Sequence, residues 1–452
     1  MIVAKFGGTS VGDGEAIARA ASIIKARLDR EPVVVVSALA GTTNRLIEIA
    51  EHASGGQLIV AHSIIEELQA RHTEAIRVLL DGDPSHQEIA AEADALFSEI
   101  THLAQALSVL GHLTPRSHDA VAAMGERLSA PIVTAAMIRQ GVPAVFVDAR
   151  KVIATNATYG KALPRADEIA LNCRAVLAPL LREGKVPVLG GYIGADPAGV
   201  TTTLGRGGSD YSASLIGAAM EAEAIEIWTD VDGMLTADPR VVPEAQLIAD
   251  IRFDEAAELA SFGAKVLHPN TITPAVKRGI PVFIFNSRRP EGTGTRITFD
   301  APRYAVRAIA GKTRTVVVKV RSPRMLETPG ALRAIFEVFE KNRTSVDVVA
   351  TSEVSVSVTL DDDQHLDTLV AQLSAFGDVT VERNRGIVAL VGAALGESTA
   401  TMARALQSLG DLRLHMVSLS ATGINLTRNV DDDAVHEAMR LLHAAFFPKA
   451  AA

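Results

Sequence analysis

Met1-Ile2-Val3-Ala4-Lys5-Phe6-Gly7-Gly8-Thr9-Ser10 is the stretch from which the fold is read. A strand-like, mostly apolar run ends abruptly at two glycines. Lys5 therefore stands at the carboxyl end of a first strand, where open α/β sheets bind their ligands. Bare backbone beside a cation suits phosphate oxygens. The common phosphate loop, Gly-x-x-x-x-Gly-Lys-Ser/Thr, is absent, and no Gly-x-Gly-x-x-Gly follows the strand. That argues against a P-loop enzyme and against a dinucleotide fold. A lysine and a turn at a strand end are also ordinary structure, so a second signal is needed.

Gly205-Arg206-Gly207-Gly208-Ser209-Asp210 supplies it. Three glycines leave backbone amides bare, and Ser209 is expected as the N-cap of a helix running on through Asp210 to Ile216. Such a turn attracts anions, phosphate first among them. Arg206 is suited to a bidentate grip on a carboxylate. Asp210 adds a carboxylate of its own, although acids are ordinary in a first helical turn. An anion cradle with both charges points to phosphate, metal and acidic substrate together.

Bulk properties suit an enzyme of about three domains. The 452 residues are 48% hydrophobic and 4% aromatic, with a net charge of -9. This balance gives no support for a nucleic-acid partner. Apolar runs such as Pro32–Ala40 are too short to span a bilayer, so no membrane is expected. A strand at the very start leaves no room for a signal peptide, and a cytoplasmic location is expected. The single cysteine, Cys173, excludes an internal disulfide framework and fits an apolar helix, Ile169–Leu181. The 12 histidines show no metal-ligand spacing such as His-Glu-x-x-His.

Residues 1 to about 295 alternate strand and helix. Runs such as Val33–Val36, Val186–Leu189, Ile225–Trp228 and Val282–Phe285 read as strands covered on both faces in a mainly parallel sheet. Leu58–Leu80 and His86–Leu110 read as a long helical insertion. Near residue 300 the pattern changes. A strand at 313–320, a helix at 329–342, strands at 346–350 and 354–360, a helix at 365–373 and a strand at 379–383 make a βαββαβ unit. The order recurs from Ile387 to Phe446 but stops before its last strand. A spare strand, Tyr304–Ala310, is expected to fill that gap. The expected domains are 1–298, 313–384 and 385–449, with strand 304–311 completing the third.

Lys5-Phe6-Gly7-Gly8-Thr9-Ser10-Val11, Gly205–Asp210, Trp228-Thr229-Asp230-Val231-Asp232-Gly233 and Phe262–Pro269 stand in the order found in aspartate kinases. The chain resembles the monofunctional members of that family over nearly its full length. The resemblance implies an amino-acid-kinase fold followed by two ferredoxin-like ACT domains. It implies phosphorylation of the L-aspartate side chain by ATP with Mg2+, the entry to lysine, threonine and methionine synthesis. A carboxylate nucleophile is already ionised at neutral pH, so the chemistry needs no general base. It needs two anions held in line and developing charge neutralised.

By the same resemblance, Lys5 stabilises the transferring phosphoryl group, Gly7 and Gly8 offer amides to it, Phe6 falls to the nucleotide, and Asp210 orients Lys5 or the metal shell. Arg206 grips the substrate α-carboxylate and Glu126 its α-ammonium. Thr43 and Ser209 donate hydrogen bonds, and Tyr192 is either pocket wall or core. Thr229, Asp230, Leu235, Arg240, Lys265 and Val266 fall to the nucleotide, with Leu235 standing where lysine-sensitive relatives carry a tyrosine. Metal ligands in the chain are unassigned, Mg2+ being held mainly by phosphates and water. Met325, Thr328, Ala331, Leu332, Ser345, Val346, Asp347, Ser352 and Glu353 resemble a lysine effector site, with threonine the alternative effector. Half-exposed sheet edges in the repeats suggest a homo-oligomer, at least a dimer. Glutamate, acetylglutamate and uridylate kinases share the fold, but the tandem repeats argue against them. An amino-acid-sensing protein with a dead kinase domain is the remaining alternative, and intact Lys5, Arg206 and Asp210 argue against it.

Overall fold

The computed structural model describes residues 1–262, 269–323 and 328–448. It divides into two compact units, Met1–Met234 with Val266–Phe299, and Leu235–Lys265 with Asp300–Ala452.

In the first unit the strands are β1 (Ile2–Phe6), β2 (Pro32–Val36), β3 (Ala144–Phe146), β4 (Val186–Gly190), β5 (Ile193–Ala195), β6 (Thr201–Thr203) and β7 (Ala224–Thr229). The helices are α1 (Gly14–Lys25), α2 (Thr42–Ser54), α3 (Leu58–Leu80), α4 (His86–Leu110), α5 (Pro115–Ala122), α6 (Met124–Arg139), α7 (Ala166–Arg182) and α8 (Gly208–Ala219). The chain leaves for β8 (Asp250–Arg252) and α9 (Phe253–Ser261), which belong to the second unit. It returns for α10 (Thr273–Arg278), β9 (Val282–Asn286) and β10 (Thr295–Thr298).

Within this unit the sheet order is β3-β4-β2-β1-β7-β9-β10. Every pair is parallel except β9 with β10. β1 and β2 are buried along their whole length, which is why they read as unbroken apolar runs rather than alternating ones. The central strand β1 lies between β2 and β7, so chain order reverses across it. A crevice opens outside the carboxyl ends at such a point. The insertion helices α3 and α4 bury Ile64, Leu68, Ile76, Leu96 and Ile100 in the same core as Ala4, Val34 and Leu46.

Residues 115–139 form a stretch long and apolar enough to cross a membrane by composition, which reading the runs one by one did not show. Its most apolar window is 89% buried within the protein. Small residues such as Ala122, Ala130 and Ala136 let it pack as an inner core helix pair.

The second unit holds a six-stranded antiparallel sheet with order β12-β13-β11-β14-β16-β15. These are β11 (Ala308–Arg321), β12 (Val349–Ser352), β13 (Ser355–Leu360), β14 (Asp378–Val391), β15 (Met416–Leu419) and β16 (Asn425–Asp431). α11 (Ala331–Lys341) and α12 (Leu366–Leu373) cover one half, α13 (Thr399–Gln407) and α14 (Val435–Phe446) the other. Each half has the ferredoxin-like strand arrangement. The strands expected at 304–310 and 313–320 are one continuous β11, and those at 379–383 and 387–391 are one β14. Both 14-residue strands run through both halves. Left-handed Arg314 (φ +58°) and Asn384 (φ +55°) mark where the register shifts between them. Ala308–Lys312 pair antiparallel with Ile387–Val391, at the position a fourth strand of the second copy would take.

The span 1–298 expected for one domain is interrupted. Residues 235–262 fold with the second unit because Ala237 and Val242 enter the core of Val388, Leu390, Leu426 and Leu442. Glu255 Oε1 there accepts the Ala393 N–H at 2.7 Å.

Candidate active site

A cavity of about 610 Å³ lies in the first unit. It gathers Lys5 on β1, Gly8 after it, Ser37–Gly41 after β2, Thr43 on α2, Glu126 on α6, Tyr192 after β4, and Gly205–Asp210 at the start of α8. Loops at the ends of separate strands thus converge as the order reversal at β1 requires.

At its floor Lys5 Nζ pairs with Asp210 Oδ1 at 2.7 Å, both side chains nearly buried. β1 places the lysine and the first turn of α8 the aspartate. Gly207, at φ +71°, is the N-cap of α8, so Ser209 is its second residue and not the cap expected from sequence. A left-handed residue at that position is open to glycine and closed to serine. Gly191 and Gly208 are needed for close approach: a Cβ on Gly191 would lie 2.7 Å from Ser209, and one on Gly208 would lie 2.6 Å from the Tyr192 ring.

Glu126 forms another wall. Its Oε1 accepts the Ala38 N–H at 3.2 Å, while Oε2 is buried and has no partner. Burial pushes this carboxyl up to about 8, against the opposing pull of the Ala38 amide and the Lys5 charge. A buried acceptor with no partner in the protein is costly, and a cationic ligand would relieve it. Tyr192 holds a left-handed backbone (φ +65°) and donates its N–H to Ser212 Oγ at 3.0 Å. It is pocket wall, with burial pushing its phenol up to about 12. Arg206, by contrast, is exposed at the mouth.

Other expected residues are not among those lining this cavity. The Gly7 N–H donates to the Trp228 carbonyl at 3.0 Å and is not available to a phosphoryl group. Phe6 is fully buried and stacks on Trp228, so its side chain belongs to the core. Thr229 and Asp230 follow β7 but do not line the cavity, and the Thr229 carbonyl accepts the Ser287 N–H at 2.8 Å. Leu235 and Arg240 belong to the second unit, where Arg240 is exposed and ion-paired with Asp238 at 2.6 Å. The pairing is local because Arg240 follows Asp238 by two residues in a turn. Lys265, Val266 and Met325 lie outside the described residues.

Sequence reading missed Asp119 and Lys161. Asp119 is fully buried on α5 and accepts hydrogen bonds from the Gly160 N–H, the Thr203 N–H and Thr203 Oγ1 at 2.7–3.0 Å. It thereby fixes the Gly160-Lys161 part of the cavity wall. The available signal was spacing: Asp119 and Glu126 are seven residues apart, close to two helical turns. Among the described residues, no group of three or more His, Cys, Asp and Glu side chains comes together as a metal site.

In the second unit, Thr328, Ala331 and Leu332 lie at the start of α11, which Gly330 opens at φ +85°. Ser345, Val346 and Asp347 precede β12, and Ser352 and Glu353 lie at its far end, where Ser352 Oγ meets Ser355 Oγ at 2.7 Å. Asp347 is not waiting for an outside ammonium. Lys312 Nζ already contacts its Oδ2 at 3.0 Å and also contacts Asp361. Sequence distance hid this pair, since Lys312 lies 35 residues from Asp347.

The amino acid kinase family model matches residues 1–286. Lysine-sensitive aspartokinase 3 of Escherichia coli is 36% identical, with 99% of each chain covered. A chloroplastic aspartokinase 3 of Arabidopsis thaliana is also 36% identical, over 98% of this chain and 81% of its own. The chain belongs to the aspartokinases. The crystal structure of E. coli aspartokinase III with aspartate and ADP, in its R-state, superposes with a TM-score of 0.85 at 35% identity, covering 99% of this chain and all of that one. The T-state of the same enzyme, with lysine and aspartate, gives 0.83. An aspartokinase must hold an amino-acid zwitterion beside a triphosphate, and the cavity brings acid, base and bare backbone together.

Proposed function

We propose that the Lys5 cavity performs the aspartate kinase reaction, ATP + L-aspartate to ADP + 4-phospho-L-aspartate. The observation that carries this reading is the unpaired, buried Glu126 oxygen in the same cavity as the Lys5–Asp210 pair. Glu126 receives the substrate α-ammonium and ionises as it does so. Arg206 meets the α-carboxylate at the mouth, and Thr43 and Ser209 donate to the substrate. That leaves the side-chain carboxylate facing Lys5, whose ammonium compensates charge on the phosphoryl group as it transfers. Asp210 holds the ammonium in place. Mg2+, when bound, neutralises phosphate charge; the cavity offers it Asp210, and phosphates and water supply its other ligands.

The division of work follows the chain. Residues 1–298 carry catalysis, with the excursion 235–262 folded elsewhere, and 313–384 and 385–449, completed by strand 304–311, regulate. The protein works as a cytoplasmic homo-oligomer, at least a dimer. Lysine is the feedback effector, supported by the E. coli relative's lysine-bound T-state. Its ammonium must displace Lys312 from Asp347 to use that carboxylate. Inhibition then acts by favouring a state of low aspartate affinity, so lysine and aspartate weaken each other reciprocally.

The deciding measurement is ADP formation with aspartate, titrated with lysine and threonine separately and together. Aspartate-dependent turnover is expected, as is loss of it at millimolar lysine. No turnover overturns the kinase reading; turnover insensitive to lysine overturns only the effector.

A further inference from the structure

Two walls of the cavity meet backbone to backbone. A Cβ on Gly8 would lie 3.1 Å from the Ala38 carbonyl oxygen and 3.4 Å from Ala40 Cα. One on Gly12 would lie 3.3 Å from Ala40 Cβ. The turn after β1 and the loop after β2 therefore touch with nothing larger than the Ala40 methyl between them. Bare loops of this kind have little of their own to hold a fixed spacing.

Arg71, on insertion helix α3, reaches both. Its Nη1 donates to the Ala40 carbonyl at 2.5 Å and its Nη2 to the Gly12 carbonyl at 2.7 Å. Arg71 is partly buried, and among the described residues it makes no ion pair. A planar fork with two fixed donors matches two carbonyls on separate loops, whereas a lysine ammonium on a flexible stem does not.

The two loops carry different halves of the reaction. The β1 side presents Lys5 and Gly8; the β2 side presents Ala38, whose amide holds Glu126, and leads into Thr43. We infer that Arg71 is a positioning residue that sets the distance between the phosphoryl end and the aspartate end of the cavity. It does not itself line the cavity. In-line transfer tolerates little misplacement, about 1 Å being enough to cost about a hundredfold. This also gives the α3 insertion a function beyond added core: it delivers the clamp.

The inference rests on the aspartate kinase reading, so aspartate-dependent ADP release by the unaltered chain is measured first, and its absence would sink that reading separately. In Arg71→Met, kcat is expected to fall about ten- to a hundredfold while the aspartate KM moves less than about threefold. Added guanidinium or ethylguanidinium chloride at millimolar concentration restores part of kcat. Arg71→Lys keeps the charge without the fork; its kcat is expected to fall about fivefold or more at a near-normal melting temperature. A role in folding alone would lower the yield or melting temperature and leave kcat of the folded enzyme intact. Near-normal kcat in Arg71→Lys overturns the inference, as does a loss in Arg71→Met that guanidinium does not rescue.

Discussion

The two units each contain a lysine between carboxylates, and they use it in opposite ways. In the first, Lys5 and Asp210 satisfy each other at side-chain exposures of 11% and 12%, while Glu126 nearby keeps one oxygen unpaired. In the second, Lys312 and Asp347 are about twice as exposed, 22% and 23%, and Asp361 completes the set. Burial and a hydrogen bond with Asp361 together raise the Asp347 carboxyl to about 6, against the pull of Lys312. The cavity of the first unit thus keeps one carboxyl oxygen with no partner in the chain, which a substrate ammonium can meet once that carboxyl gives up its proton. The candidate effector region has met its demand internally, so a ligand must exchange with a residue of the chain. Affinity in the first comes from preorganisation; in the second it is reduced by the partner that must leave.

The sharpest way to break the comparison is at Lys5. Its charge is realised mainly in the transition state, so Lys5→Ala is expected to lower kcat by about a hundredfold or more. Steady-state kinetics showing a changed KM with normal kcat would remove that role. Next comes Arg206. Its exposure at the mouth places its pairing energy at about 1–2 kcal/mol, below the cost of losing a buried partner. Arg206→Ala should therefore raise the aspartate KM about five- to thirtyfold. An unaltered KM would place the α-carboxylate elsewhere.

Glu126 sharpens the comparison through pH. Its folded-state value, about 8, lies above that of an unfolded glutamate, so the empty enzyme holds a proton there at neutral pH. This contribution to stability is complete below the unfolded value and is lost as pH rises toward 8. Aspartate binding needs the carboxylate, so its apparent affinity should rise from pH 6 to 8. Thermal shift by aspartate, measured across that range, should grow with pH in the wild type and stay flat in Glu126→Gln. The smallest effect is expected at Lys312. Lys312→Met frees Asp347 for an outside ammonium, and half-inhibition should need about two- to fivefold less lysine. An unchanged or weakened response would show that the internal pair does not compete.

Much of the first unit was legible because its signals are local. Leu58–Leu80 and His86–Leu110 are bounded as the periodicity predicts, β1 follows from an apolar run ended by glycine, and β2 from the apolar run Val33–Val36. The cavity gathers Lys5, Thr43, Glu126, Tyr192, Arg206, Ser209 and Asp210 from five separate segments, which only the ordered motifs anticipated. What escaped was set by distant partners. Ser209 lost the cap position to Gly207, since the turn needs a left-handed residue there. Arg71 gives no local cue, because its acceptors are carbonyls 31 and 59 residues away. The excursion at 235–262 carries no break in composition, and it is assigned by packing against Val388 and Leu426 and by the Ala393–Glu255 hydrogen bond.

One strand exchange has a consequence for synthesis. Ala308–Lys312 emerge before the first repeat, yet pair with Ile387–Val391, about 80 residues further along. Until β14 leaves the ribosome, that segment is an open edge with its hydrogen-bonding groups bare. At the usual elongation rate the wait lasts roughly 4–16 seconds. The first repeat cannot close its own sheet in that interval either, because its fourth strand is the other half of β14. The two repeats are therefore born together, and a chain interrupted between them would carry two unfinished edges instead of one finished domain.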